Sequence, residues 1–137
     1  MKIRNLLLTI PILFLIIGMG GCEKEKTSNL KGSTWQLTGY VNAFTGETVK
    51  ATPEGDGYYT FTFDTDNTAI GGTIINSIAI SLSRPYIHVL TKIDDSINGN
   101  AHLFYEAIES IEFYDLDGDQ LKFFYDNKKQ YLLFEKR

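Results

Sequence analysis

The chain has 137 residues, of which 43% are hydrophobic, a formal charge of −4 and a single cysteine, Cys22. The length suits one domain-sized core, and the acidic balance excludes nucleic acid as the expected partner, because phosphate binding draws on Lys and Arg. With no second cysteine to pair, the fold has to hold by packing alone.

Lys2 and Arg4 precede an apolar run from Leu6 to Ile17, and Gly18, Met19, Gly20 and Gly21 follow directly before Cys22. A basic start, a short apolar stretch and small residues at a processing point are the parts of an export signal. The run is too short to cross a bilayer, which takes about 20 apolar residues, and Pro11 interrupts it. Residues 1–21 are therefore expected to be a lipoprotein signal peptide, removed to leave Cys22 as a lipidated amino terminus. The junction resembles a bacterial lipobox, with Met19 where Leu is more usual. Residues 22–29 include Glu23-Lys24-Glu25-Lys26 and no apolar side chain after Cys22, so they are expected to form a flexible tether. Loss of Lys2 and Arg4 makes the exported part more acidic still, which leaves the acyl chains as the expected membrane contact. Acidic residues beside the lipidated position resemble signals that sort lipoproteins outward. The outer membrane, on its periplasmic or surface face, is the expected address.

Residues 30–137 form the expected β domain, dominated by period-two alternation of bulky and polar residues. Trp35, Leu37 and Val41 alternate with Thr34, Gln36 and Thr38; Phe44 to Gly57, rich in Gly, Thr, Pro and acids, predicts a long loop. Tyr59, Phe61 and Phe63 follow, then a short strand from Ala69 to Ile74 in which Gly71-Gly72 predicts a bend or bulge. Ile78, Ile80 and Leu82 alternate with Ser77, Ala79 and Ser81, and Ile87 with Val89 oppose Tyr86 and His88. Phe104, Ala107, Ile108 and Ile111 recur at helical spacing, with Asn98 or Asn100 as a cap. Three more strands close the chain: Ile111 to Leu116, Leu121 to Tyr125, and Gln130 to Phe134. Turn residues fall between the runs at 64–67, 83–85, 115–119 and 126–128. The pattern predicts a mainly β domain: a small antiparallel barrel or strongly curved sheet of about eight strands with one packed α-helix.

The order Gly32-Ser33-Thr34-Trp35-Gln36-Leu37, Phe61-Thr62-Phe63, Gly72, Asn76, Thr91, Phe104 with Ala107-Ile108, Tyr114, Gly118-Asp119-Gln120-Leu121 and Leu132-Leu133-Phe134 resembles the META domain family. These are small bacterial envelope proteins that include the HslJ-like lipoproteins. The resemblance runs through dispersed small and apolar positions. The family's usual Gly-Cys-Asn is replaced by Ile74-Ile75-Asn76, and its later cysteine is missing. The resemblance implies a compact, mainly β fold with one helix and an envelope location, and it brings no settled activity.

Chemistry-bearing clusters are scarce. His88 and His102 each lack a second histidine at ligand spacing. Asp115-x-Asp117-Gly118-Asp119 has several carboxylates but lacks the glycine and glutamate of a calcium loop at its sixth and twelfth places, where Gln120 and Asp126 stand. A tight hairpin turn is the cheaper reading, as it is for Asp64 with Asp66 and for Asp94-Asp95. No catalytic residue, metal or cofactor is expected. Eight Tyr and nine Phe exceed what a small core requires, and Tyr40, Tyr58, Tyr86 and Phe124 are the expected partner-binding aromatics of an outer face. The expected function is a non-enzymatic, monomeric, lipid-anchored binding module or envelope-maintenance protein with a protein or polymer partner. A lipocalin-like carrier of a small apolar ligand inside the barrel is the alternative, and a filled interior would count against it.

Overall fold

The computed structural model describes residues 29–94 and 99–137. The leader, Cys22, nearly all of the tether, Asp95 and Asn98 lie outside the described residues. The elements in chain order are β1 (Thr34–Asn42), β2 (Thr48–Lys50), β3 (Thr60–Phe63), β4 (Thr68–Gly72), β5 (Ser77–Ser81), β6 (Tyr86–Val89), α1 (Ala101–Ile108), β7 (Phe113–Asp117), β8 (Gln120–Tyr125) and β9 (Gln130–Lys136). The strands form an antiparallel sheet in the order β6-β5-β4-β3-β1-β9-β8-β7, with β2 paired to β1 at the side. The sheet curls without closing, since β6 and β7 stand at opposite ends of that order. Among the described residues it is a half-barrel with one helix. The expected curved sheet is observed, but the loop predicted over Phe44 to Gly57 contains the short strand β2.

Alternation placed the core well on both sides of β1. Trp35, Leu37, Tyr59, Phe61, Phe63, Ile78, Ile80, Leu82 and Ile87 are all buried in one cluster with Leu121, Phe123, Leu132 and Phe134. The helix lies within the curve. Its Phe104 is fully buried, stacked near Phe61 at 6.4 Å between ring centroids and tilted toward Tyr59 at 6.3 Å. Phe134 meets both Phe61 and Phe123 edge-on at 5.6 Å, a geometry that aligns ring edges with ring faces. Burying a ring such as Phe104 or Trp35 from water is worth about 1.5–3 kcal/mol in area terms.

Two details of the backbone depart from the sequence pattern. Gly71 and Gly72 pair regularly with Phe61 and Thr60, so they form no bulge. Gly71 serves close approach instead, because a Cβ there would stand 2.7 Å from the Phe61 Cα and press into the Thr60 carbonyl. The bulge falls in β1, where the register against β9 shifts between Leu37 and Gly39. The extra residue, Thr38, reverses the parity of every residue after it. Tyr40 thereby joins the core face beside Leu132, and Val41 turns to the opposite face beside Tyr131.

The two ends of the sheet differ. At one end Leu30 enters the core, and hydrogen bonds tie neighbouring segments together: Lys31 N to Asp66 Oδ1 at 3.0 Å, Leu82 N to the Asn67 carbonyl, Lys136 N to the Asp119 carbonyl and Arg137 N to the Thr34 carbonyl. The strand directions place the turns after β1, β4 and β8 at the other end. There the chain after β6 folds back on Asn76, and α1 begins against Lys50 and Thr52.

Candidate functional site

The four aromatics expected on one outer face do not share a surface. Tyr40 is buried, because the Thr38 bulge turns it inward; its hydroxyl donates to the Asn100 carbonyl at 3.4 Å. Burial, reinforced by Tyr59 and Tyr125 nearby, pushes its phenol well above the ordinary tyrosine range. Tyr58 is half-buried against the core, and its carbonyl accepts from Gln36 Nε2. Phe124 is half-buried on the convex face, stacked on Phe113 at 4.4 Å with only 6° between the ring planes and tilted against Tyr131 at 5.2 Å. Lys122 Nζ lies 5.0 Å from the Tyr131 ring centre and Lys128 Nζ 5.4 Å from that of Phe113. One face of the Phe124 ring is covered by Phe113. Tyr86 alone of the four is exposed, at 53%.

The other candidates are at turns or on the surface. Asp117 pairs with Gln120 across Gly118-Asp119, and Gly118 has φ +58°, as a two-residue hairpin turn requires. Asp64 caps its own turn, accepting from Thr68 Oγ1 at 2.7 Å and Thr65 N at 3.1 Å; the Thr68 hydroxyl leads in holding its carboxyl below the usual range. His88 is exposed on β6 and His102 on α1. Among the described residues no three His, Cys, Asp or Glu side chains gather as a metal site, and the buried polar residues are Gln36, Thr73 and Asn76.

Sequence reasoning missed a polar knot at the far end. Asn76 Nδ2 donates to the Tyr105 hydroxyl at 2.9 Å and to the Ile93 carbonyl at 2.7 Å, while its Oδ1 accepts from Thr91 Oγ1 at 3.0 Å and Ile93 N at 2.8 Å. Thr73 shares a hydroxyl hydrogen bond of 2.8 Å with Tyr105. With every polar atom of the Asn76 amide engaged or directed, the knot pins residues 91–93 and the helix to the end of the sheet. No local pattern relates Asn76 to Thr91 and Tyr105, which stand 15 and 29 residues away.

Two grooves flank α1 at this end. One, of about 520 Å³, runs between the helix and β1, β2 and the turn after β8; Tyr40, Val49 and Leu103 line it with Glu47, Glu106 and Asp126 at its rim. Tyr125 borders it, donating to Gln130 Oε1 at 3.2 Å, and its phenol is raised by burial and then by Asp126 and Glu106. The second, of about 550 Å³, lies between α1 and the end of β6, lined by Val89, Ile93 and Tyr105 with Lys92, Glu106 and Glu109. By contrast the inside of the curve is filled: Trp35, Phe61, Phe63, Ile78 and Ile80 are each at most 2% exposed. That packing disfavours a carrier holding an apolar ligand within the barrel.

No protein-family model matches the chain. The crystal structure of a DUF4847 family protein from Bacteroides vulgatus is similar in fold, with a TM-score of 0.54 and 18% identity over 77% of this chain and 93% of that one. A Tannerella forsythia protein named "Putative lipoprotein" is 39% identical over 137 residues, covering 96% of each chain. The chain belongs to the family of that lipoprotein.

Proposed function

We propose that this protein is an outer-membrane lipoprotein, anchored through Cys22, whose META-like β domain is a non-enzymatic, monomeric module that binds a partner or maintains the envelope. The filled interior carries the proposal. Phe104 plugs the curve against Tyr59, Phe61 and Phe134, so recognition is left to the outer surface and the grooves beside α1. The relationship to the Tannerella lipoprotein supports anchoring. Support for a META-like domain comes from the roles of the residues that carry that resemblance: Trp35, Phe61, Phe104, Ala107 and Phe134 are core, and Asn76 with Thr91 forms the knot that holds the helix end.

The test is metabolic labelling with a fatty acid, followed by membrane fractionation of the wild type and Cys22→Ser. The wild type takes up label and sediments with membranes; the variant does neither, yet keeps a cooperative melt, because the anchor is separate from the core. Crosslinking of the lipidated form in intact cells then recovers a partner. A variant that still sediments with the membrane overturns the anchoring, and a wild type that crosslinks to nothing overturns the partner-binding role.

A further inference from the structure

We infer that the groove between β6 and α1 is a docking site for an extended segment of another envelope protein, one that carries apolar side chains flanked by Lys or Arg. The inference rests on the reading of the domain as a binding module and names its surface and its partner's chemistry.

The first support is where the chain enters. Cys22 precedes Leu30 by eight residues, a length that spans at most roughly 29 Å when fully extended. Leu30 is packed at the end of the sheet that holds the turns at 64–67 and 82–85 and the C terminus. The tether to Cys22 therefore leaves the domain at that end, and the groove is at the other.

The second support is the distribution of exposed apolar surface. Ile93, 57% exposed, lines the groove, and Leu90 at 52% and Ile75 at 46% are the chain neighbours of its lining residues Val89 and Asn76; Phe44 at 79% and Val49 at 49% lie at this end too, on the β2 side, whereas at the anchored end Tyr86 is the large exposed hydrophobic among the described residues. Exposed apolar side chains beside a groove suit an interaction site, and its position at the end away from the tether makes a protein the fitting cover. Charge sets the partner's sign. The helix carboxylates Glu106 and Glu109 line the groove with Lys92 and His102, so a basic residue that reaches the helix side complements them.

The third support gives the partner its conformation. Leu90 N donates to the Ser77 carbonyl at 2.8 Å, so Leu90 and Ser77 form a hydrogen-bonded pair, and the antiparallel register then alternates along β6. Val89, opposite Ile78, belongs to the intervening pair, and its N–H and C=O point off the edge of the sheet. The edge residues Tyr86 to Val89 include no Lys, Glu or Pro to block pairing. An extended peptide can add to β6 through Val89, seat an apolar side chain against Ile93 and Tyr105, and extend a Lys or Arg to Glu106 or Glu109.

The test uses the lipidated full-length protein in detergent micelles and two labelled peptides of alternating sequence, Lys-Val and Glu-Val, titrated by fluorescence anisotropy. The Lys-Val peptide is expected to bind and the Glu-Val peptide not to. Val89→Pro removes an N–H that the β5–β6 ladder does not use, and a Glu106→Lys, Glu109→Lys double variant reverses the rim. Each is expected to weaken binding by roughly tenfold or more, with thermal melts confirming that both variants fold. Equal binding of the two peptides, no binding of either, or unchanged affinity in both variants overturns the inference. So does a concentration-dependent dimer that Val89→Pro abolishes, which would assign the edge to a second copy. If these peptides fail while cellular crosslinking through another face recovers a partner, the binding-module reading stands and only this site falls.

Discussion

The two wings of the sheet on either side of β1 use the same alternation to different ends. Behind β9, the convex face of the C-terminal wing is a row of cross-strand neighbours, Phe113, Phe124 and Tyr131, continuing to Val41 on β1. Each ring is covered by the next, and Lys122 and Lys128 lie over the row. The corresponding row on the N-terminal wing runs through Thr62, Ile70, Ala79 and His88, with Ile70 left 56% exposed. The edges differ as well: β7 carries Asp115 and Asp117, while β6 carries no charged Lys, Arg, Asp or Glu. An outward aromatic is thus a structural element or an available contact according to its neighbour across the strand, and the wing left open is the one beside the apolar groove.

Both wings depend on the shared concave core, so its truncation should have the largest effect. Phe104→Ala and Trp35→Ala are each expected to cost about 3–5 kcal/mol, measured by denaturant unfolding; a loss in only one wing's hydrogen-exchange protection would mean that the wings fold separately. Gly71→Ala tests the N-terminal wing alone. It is expected to destabilise by about 1–3 kcal/mol, because the new methyl meets the Thr60 and Phe61 backbone rather than a flexible side chain. A neutral result would show that β3 and β4 can separate without loss.

The outward rings give the sharpest contrast. Phe124→Ala should cost about 0.5–1.5 kcal/mol through the lost stack with Phe113 and Tyr131, while Tyr86→Ala should stay within about 0.5 kcal/mol. Equal values would erase the distinction between the wings. A pH titration checks the inward turn of Tyr40. Its folded phenol titrates above the unfolded value near 10, so its contribution is fully present below about pH 10 and is lost as the pH rises further. Stability should therefore fall on the alkaline side, and Tyr40→Phe should flatten that fall. An unchanged alkaline slope would place the Tyr40 hydroxyl in solvent.

Much of the core was legible because burial on one face of a strand imposes a period of two. Phe61 with Phe63, and Ile78 with Ile80, could be assigned from neighbours alone. The helix was legible for the same reason at a different period, although its start lies at Ala101 and the Asn100 side chain supports Lys50 and Thr52 instead of capping the first turn. The candidate site was much less legible. Tyr40 went to the wrong face because one inserted residue at Thr38 has no signature in composition, and the stacking of Phe124 was not legible because its neighbours Phe113 and Tyr131 are 11 and 7 residues away in sequence.

By itself the sequence determined the thiol-free, acidic composition after Cys22, the faces of β1 up to Leu37 and of the strands that carry Phe61 and Ile78, the turns rich in Asp, Asn and Gly, and one helix, since each follows from the chemistry of adjacent residues. Only the tertiary structure decided where β1 changes parity, which aromatics cover one another, and that both grooves open at the end opposite Leu30. These depend on register and strand order, which bring together residues such as Asn76, Thr91 and Tyr105 that no local pattern relates.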